Sequence, residues 1–342
     1  MSRALGLVLG VAVDAVLGDP RRGHPVAAFG SWAATVEREL YADSRSRGAA
    51  FTAVAVAPVL ACGVAAERLT RRHPIAHTLA TAVVTWACLG ARSLAREGHA
   101  MADRLATGDL GAARAQLPNL CGRSPDGLST DDLGRATVES LAENTNDAVV
   151  ATLCWAAVMG MPGMAAHRAV NTLDAMVGHR NDRYAHFGTA SAHLDDLLGW
   201  ASARLTGALA CVVAPLAGGI PLRAATTMLR DAADHPSPNG GWCEAAWAGA
   251  LGVRLGGANT YGDRVEVRGT LGNPDWPHPS AGDVRQAARL VTAVTAAATV
   301  LAATTAALVT RRTRCPACSS PAPARTPASR SSSPAFGMPS PA

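Results

Sequence analysis

Apolar residues in this chain come in long uninterrupted blocks. Charge is absent from Ala49 to Ala66, from Leu205 to Leu222 and from Leu290 to Thr310, and Pro74 to Ala91 admits His77 as its polar intruder. Each block approaches the roughly 20 residues needed to cross a bilayer core. Ala148 to Ala166 is also uncharged, but Gly160-Met161-Pro162-Gly163 interrupts it. That interruption predicts either a kinked span or a closed helical hairpin. Ala4 to Gly18, apolar except for Asp14, is short for a crossing and reads as a shallow or re-entrant segment. The pattern therefore predicts an all-α, polytopic integral membrane protein. It has about five spanning helices, a shallow N-terminal apolar segment and long polar loops.

Polar residues gather at both ends of the interrupted block. Glu139, Glu143 and Asp147 fall at i, i+4 and i+8 of a helix that Ser129 and Asp132 start with a capping box, and Asn144 runs beside them. Three like charges on one face repel unless a cation or Arg lies opposite, so this face predicts a magnesium or substrate site; a solvated acidic face is the alternative. On the far side stand Arg168, Asn171 and Asp174, then His179, Arg180, Asn181 and Arg183, then Asp195 and Asp196. Arg is the preferred bidentate binder of phosphate and carboxylate; surface ion pairs with Asp174 and Asp182 are the alternative there. Carboxylates so close to a membrane segment are costly to place and mark a site.

Three further segments bear candidate groups. Asp19 and His24 bracket a Pro-rich turn, and either line the site or serve the turn itself. His235, Ser237, Asn239 and Glu244 lie in and after a rigid loop of two prolines and two glycines. Asn259 and Tyr261 lie in a Gly-rich loop, a weak signal alone. If all five blocks cross, the segments of Glu139 and His235 share one face of the membrane and Arg180 lies on the other. A re-entrant hairpin at Gly160 to Gly163, or a site within the bilayer, would reconcile them.

Composition narrows the chemistry. All 31 basic residues are Arg, so a Walker A lysine and a Schiff-base lysine are excluded, and phosphate must meet Arg, backbone amides or metal. The Arg residues are scattered among apolar blocks, which argues against nucleic acid. The eight Cys mostly stand alone within apolar runs, as small hydrophobes do. From Cys315 to Ala342 Pro, Ser and Ala dominate, which predicts a disordered tail behind a membrane-embedded domain of residues 1–314.

The motifs together resemble one family. LGDPRRGHPV, ESLAENTNDAVVATL, RAVNTLDAMVGHRNDRY, HLDD, HPSPNGGWCEAAWAGALGVRLGG and NTYG, in this order over about residues 5–310, are similar to the membrane-bound amide synthases of cobalamin biosynthesis, the CobD/CbiB (adenosylcobinamide-phosphate synthase) family. The resemblance implies ATP-dependent ligation of aminopropanol, or its phosphate, to a propionate of adenosylcobyric acid. It also implies a multi-pass protein of the cell (inner or plasma) membrane, with corrinoid, amino alcohol and lipid as partners. Contact with other membrane enzymes of the corrinoid pathway is a further expectation.

Such chemistry needs an activated acid, a neutral amine beside a base, and exclusion of water. Residue type and motif membership then assign magnesium to Glu139, Glu143 and Asp147, phosphate to Arg168, Arg180 and Arg183, and the base to His179 or His235. The remaining candidates would contact substrate. A transporter or a non-catalytic scaffold would also place charges against spans; neither requires substrate-dependent ATP consumption.

Overall fold

The computed structural model describes residues 1–20, 23–179, 181–261 and 264–312, the side chains of 258–267 and 310–312 excepted. Arg180, the side chains of Asn259 and Tyr261, and the tail from Cys315 thus lie outside the described residues.

The chain is helical almost throughout. Helix α1 (Ser2–Leu17) takes up the N-terminal apolar segment, and α2 (Pro25–Leu40) follows the Asp19–His24 turn. Helices α3 (Arg45–Thr70) and α4 (Pro74–Cys88) come next, and α5 (Ala91–Thr107) continues α4 past a break at Leu89-Gly90. Asp14 sits at that break, accepting the Arg92 N–H at 3.0 Å. The short α6 (Leu110–Gln116) leads to a loop and to α7 (Thr130–Thr145), whose Ser129–Asp132 capping box is formed. Then come α8 (Ala151–Met159), α9 (Met161–Leu173), α10 (Thr189–Val213), α11 (Pro221–Asp231) and α12 (Gly240–Leu251). An antiparallel hairpin, β1 (Leu255–Tyr261) with β2 (Arg264–Leu271), replaces the Gly-rich loop, and α13 (Ala281–Arg312) closes the described chain.

Among the described residues, four helical segments are long and apolar enough to cross a membrane: Arg45–Thr70, Pro74–Thr107, Thr189–Ala217 and Ala281–Val309. The protein is an all-α polytopic membrane protein. Its fifth apolar block is not a span. Helical backbone runs from α7 through a π-turn at Asn146–Val150 into α8, and the chain then reverses at Gly160 into α9, which packs back on α8. The hairpin alternative is the one realised, and the uncharged part of the rod before the turn, Ala148 to Met159, spans roughly 18 Å of helix, too short to cross.

Small residues and buried charge fix the hairpin and its neighbours. A Cβ on Gly6 or Gly10 would lie 2.5 Å from the Cβ of Thr81 or Thr85, so these glycines let α1 press its backbone on α4. Gly160 has φ 73°, and a Cβ there would meet Glu67 Oε2 at 2.6 Å and Arg3 Nη2 at 2.7 Å. Glu67 is the centre of this knot. It accepts from Arg3 at 2.9 Å and from the Met161 N–H at 3.1 Å, and its Oε1 lies 3.0 Å from His77 Nε2. The polar intruder His77 thus helps secure the hairpin tip. Two cores result. The larger runs through α5, α7, α8, α12 and α13, and the smaller groups Phe51, Phe187, Leu173 and Val177 between α3 and α9.

Helix α10 begins at Thr189, well before the uncharged block at Leu205. Asp195 and Asp196, part of the polar cluster read beyond the interrupted block, therefore lie inside the helix. Their charge is carried on its early turns beside α9.

Candidate active site

The hairpin solves the problem of sidedness. Because α9 returns from Gly160, its polar end meets the end of α7 and the start of α10. Helix α12 packs on both α7 and α10 and brings the rigid loop with it. Glu143, Asp147, Asp174, Asp195, His235 and Glu244 thereby converge from five chain segments.

The first part of the site centres on His235. Its Nε2 lies 3.3 Å from Glu244 Oε1 and 3.2 Å from Arg268 Nη1. Its Nδ1 lies 3.1 Å from Ser237 N and 3.4 Å from Ser237 O, so the ring has a partner whether neutral or protonated. Glu244 is 1% exposed. Burial pulls the His235 pKa down, but the hydrogen bond and charge of Glu244 outweigh it and hold the imidazole above its ordinary value. Ser237 Oγ accepts from the N–H groups of Asn239 and Gly240, which shapes the entry to α12.

Glu143 faces this pair. Its side chain is open to solvent, yet protein crowds it closely enough for burial to push its carboxyl above the usual range. The Glu244 charge adds to that push, and His235, Arg268 and Arg123 oppose it. Glu143, His235, Glu244 and Arg268 thus act on one another as a single charged cluster, the polar chamber of the site. Glu143 also links the site's two parts, because its charge acts on Asp147 and Asp174 as well.

The second part is a group of aspartates. Asp147, in the π-turn, is held by Asn146 at 2.8 Å and feels the charges of Asp195, Glu143 and Asp174. Asn171 hydrogen-bonds Asp195 and accepts from Arg168 at 3.1 Å. His179 is exposed, and its charge acts on Asp174. Asn239 joins the two parts, donating to the Asp196 carbonyl at 2.8 Å and accepting from Arg204 at 3.3 Å.

Several candidates are placed elsewhere. Glu139 leaves the acidic face. It is buried in an ion pair with Arg123, lies 3.8 Å from Arg135 and accepts the Gly256 N–H at 2.7 Å. It joins α7 to the start of β1. Asn144 donates back to Ser140. Arg183 bonds Glu37 at 3.1 Å and lies over the Tyr41 ring at 4.3 Å, an ion pair with a partner not weighed in the sequence. Asn181 accepts from the N–H groups of Arg183 and Tyr184, which makes it a turn residue. Asp19 and His24 lie 3.5 Å apart, and His24 accepts from the Val26 N–H at the start of α2, so both serve the turn.

Sequence reasoning passed over Asn146, Arg123 and Arg268. Asn146 is buried and accepts from Thr206; its place between Asn144 and Asp147 was the available signal. The two arginines carry no local signal, since their acidic partners are remote in sequence.

A family model described as CobD/Cbib protein matches residues 7–291. A curated relative, "Cobalamin biosynthesis protein CobD" of Mycobacterium tuberculosis (strain ATCC 25618 / H37Rv), is 48% identical over 302 residues, 88% of this chain and 95% of the relative. Proteins of the same name from Geobacter metallireducens and Rhodobacter capsulatus are 44% and 40% identical, covering 80% and 84% of this chain and 88% and 90% of their own lengths. No solved structure matches the chain.

Proposed function

The chain belongs to the CobD/Cbib protein family, and on that premise we propose that it acts in cobalamin biosynthesis as a membrane amide synthase. The reaction joins aminopropanol, or its phosphate, to a propionate of adenosylcobyric acid with consumption of ATP. The observation that carries this reading is the chamber in which solvent-open Glu143 faces the buried His235–Glu244 pair and Arg268.

Amide formation from an activated acyl group forms a C–N bond, expels the activating phosphate and releases a proton from nitrogen. Glu143 suits the proton: it is reachable and its ionised form is disfavoured by its surroundings. His179 or His235 was the expected base. The raised pKa of His235 favours its cationic form, and with Arg268 it suits the binding of anionic oxygen instead.

Magnesium fits part of the expected set. Asp147 and neighbouring Asp195 supply hard oxygen donors, whereas Glu139 is engaged by Arg123, Arg135 and Gly256. Among the described residues no group of three His, Cys, Asp or Glu side chains could hold a metal ion. Magnesium commonly needs only one or two carboxylates beside substrate phosphates. Once bound, it would offset phosphate charge.

The test is reconstitution in nanodiscs with adenosylcobyric acid, ATP and each amino alcohol. Corrinoid amide should form with matching ADP release, and Glu143→Gln should lower turnover by about 10²-fold or more. Corrinoid movement without ATP consumption would replace this reading with transport.

A further inference from the structure

A second polar cavity lies on the other side of the Glu139 knot. It has a volume of about 280 Å³ and is lined by Asp132, Arg135, Arg254, Gly256, Thr270 and His278 among others. None of these residues falls in the chamber, and all lie outside the four membrane-spanning segments.

The charged groups around it differ in their partners. Asp132 is held by Arg135 at 3.2 Å and by the Ser129 hydroxyl at 2.7 Å. Glu139 is shared between Arg123 and Arg135. Arg254 donates to the Pro274 carbonyl at 2.8 Å and to His278 Nε2 at 2.7 Å, both uncharged acceptors. Arg254 is thus a cavity cation with no carboxylate partner among the described residues. A guanidinium has five N–H donors, so a fork remains for a ligand after these two bonds. The adjoining strand is bulged between Gly256 and Gly257, and the Gly256 N–H and carbonyl are taken by Glu139 and Arg135, so the ligand's donor is Arg254.

Resting on the amide-synthase reading, we propose that this cavity binds the phosphate group of a substrate, with Arg254 as its charged anchor and His278 as the brace that orients it. The group belongs either to a nucleotide or to a phosphorylated amino alcohol. Through Arg135 and Glu139 the cavity adjoins α7 one turn before Glu143, so a ligand seated by its phosphate abuts the reactive chamber.

The full-length protein in detergent is titrated, without magnesium, with inorganic phosphate, O-phosphoethanolamine and ATP, and binding is followed by calorimetry. Wild type should bind phosphate, and Arg254→Gln should weaken binding at least tenfold, with Arg254→Lys intermediate because it keeps charge but loses the fork. Tighter binding of O-phosphoethanolamine than of ATP assigns the phosphate to the amino alcohol, and the reverse assigns it to the nucleotide. Should Arg254→Gln not fold, Thr270→Glu, at an exposed strand position, should abolish binding by placing an anion at the cavity. Unchanged affinity in whichever variant folds, or no binding of any probe by wild type, overturns the proposal. Amide synthesis indifferent to Arg254 would sink this inference alone. Arg254-dependent phosphate binding in a protein that makes no amide would sink the parent reading alone.

Discussion

His235 and Glu244 form a contact of 3.3 Å in which both side chains are almost wholly buried. The histidine keeps its proton because of that carboxylate. Glu244→Gln should therefore let burial dominate and drop the His235 pKa below its ordinary value. A group with a raised folded pKa stabilises the fold below its unfolded pKa, here about 6.5, and loses that contribution as pH rises through the folded value. The variant should accordingly lose more melting temperature at pH 6 than at pH 9. Equal losses at both would show that the pair does not hold the proton.

Glu139 and Glu143 lie one helical turn apart and should behave oppositely. Glu139→Gln leaves Arg123 and Arg135 buried without their shared carboxylate, and breaking such a pair costs about 3–5 kcal/mol. Glu143→Gln removes a charge that its surroundings disfavour, so the melting temperature should hold or rise while turnover collapses. Melting curves and single-turnover assays on both variants check this. A stable, active Glu139→Gln protein would remove the proposed knot.

Asp147 carries the magnesium expectation, since Asp195 and Asp174 crowd it with like charge. Asp147→Asn should raise the magnesium concentration giving half-maximal turnover several-fold and leave ATP-independent corrinoid binding intact. A magnesium titration identical to wild type would exclude Asp147 from the metal's surroundings.

The hairpin tip depends on a conformation and on a clamp. Gly160→Ala meets a left-handed φ, costing about 1–3 kcal/mol, and also crowds Glu67 and Arg3. Glu67→Gln keeps the shape and weakens the Arg3 ion pair. Both should speed labelling of a cysteine placed at Val158, the first more than the second. Labelling rates unchanged in both would mean that the reversal stands without them.

The sequence disclosed what is local. The Ser129–Asp132 capping box, the interruption at Gly160 to Gly163 (though not its choice between kink and hairpin) and most span positions follow from spacing and from Gly and Pro chemistry. Remote pairing stayed hidden. Glu139 looked like a member of an acidic face because its i, i+4 pattern is visible and its partner Arg123 is in a loop. Arg183 resembled a phosphate ligand because Glu37, which holds it, lies 146 positions away. That Asp195 and Asp196 stand within a helix was not legible, because charge at the start of α10 masks a helix that packing, not composition, continues. The β1–β2 hairpin also escaped notice, since its glycines advertise a turn rather than a strand.

The π-turn at Asn146–Val150 gives the rod from Thr130 to Met159 an angular setting that depends on counting residues. Each α-helical residue turns the chain by about 100°. Losing one residue from the wide π-turn would nearly preserve that setting, but deleting Leu153 from the ordinary helix of α8 would swing everything beyond it by roughly that angle. Trp155, which donates to the Leu198 carbonyl at 3.1 Å, would face another neighbour, and the Gly160 corner would miss Glu67. Point substitutions in α8 change one contact each, whereas an insertion or deletion of a single codon there would rotate the membrane half of the rod against its polar half.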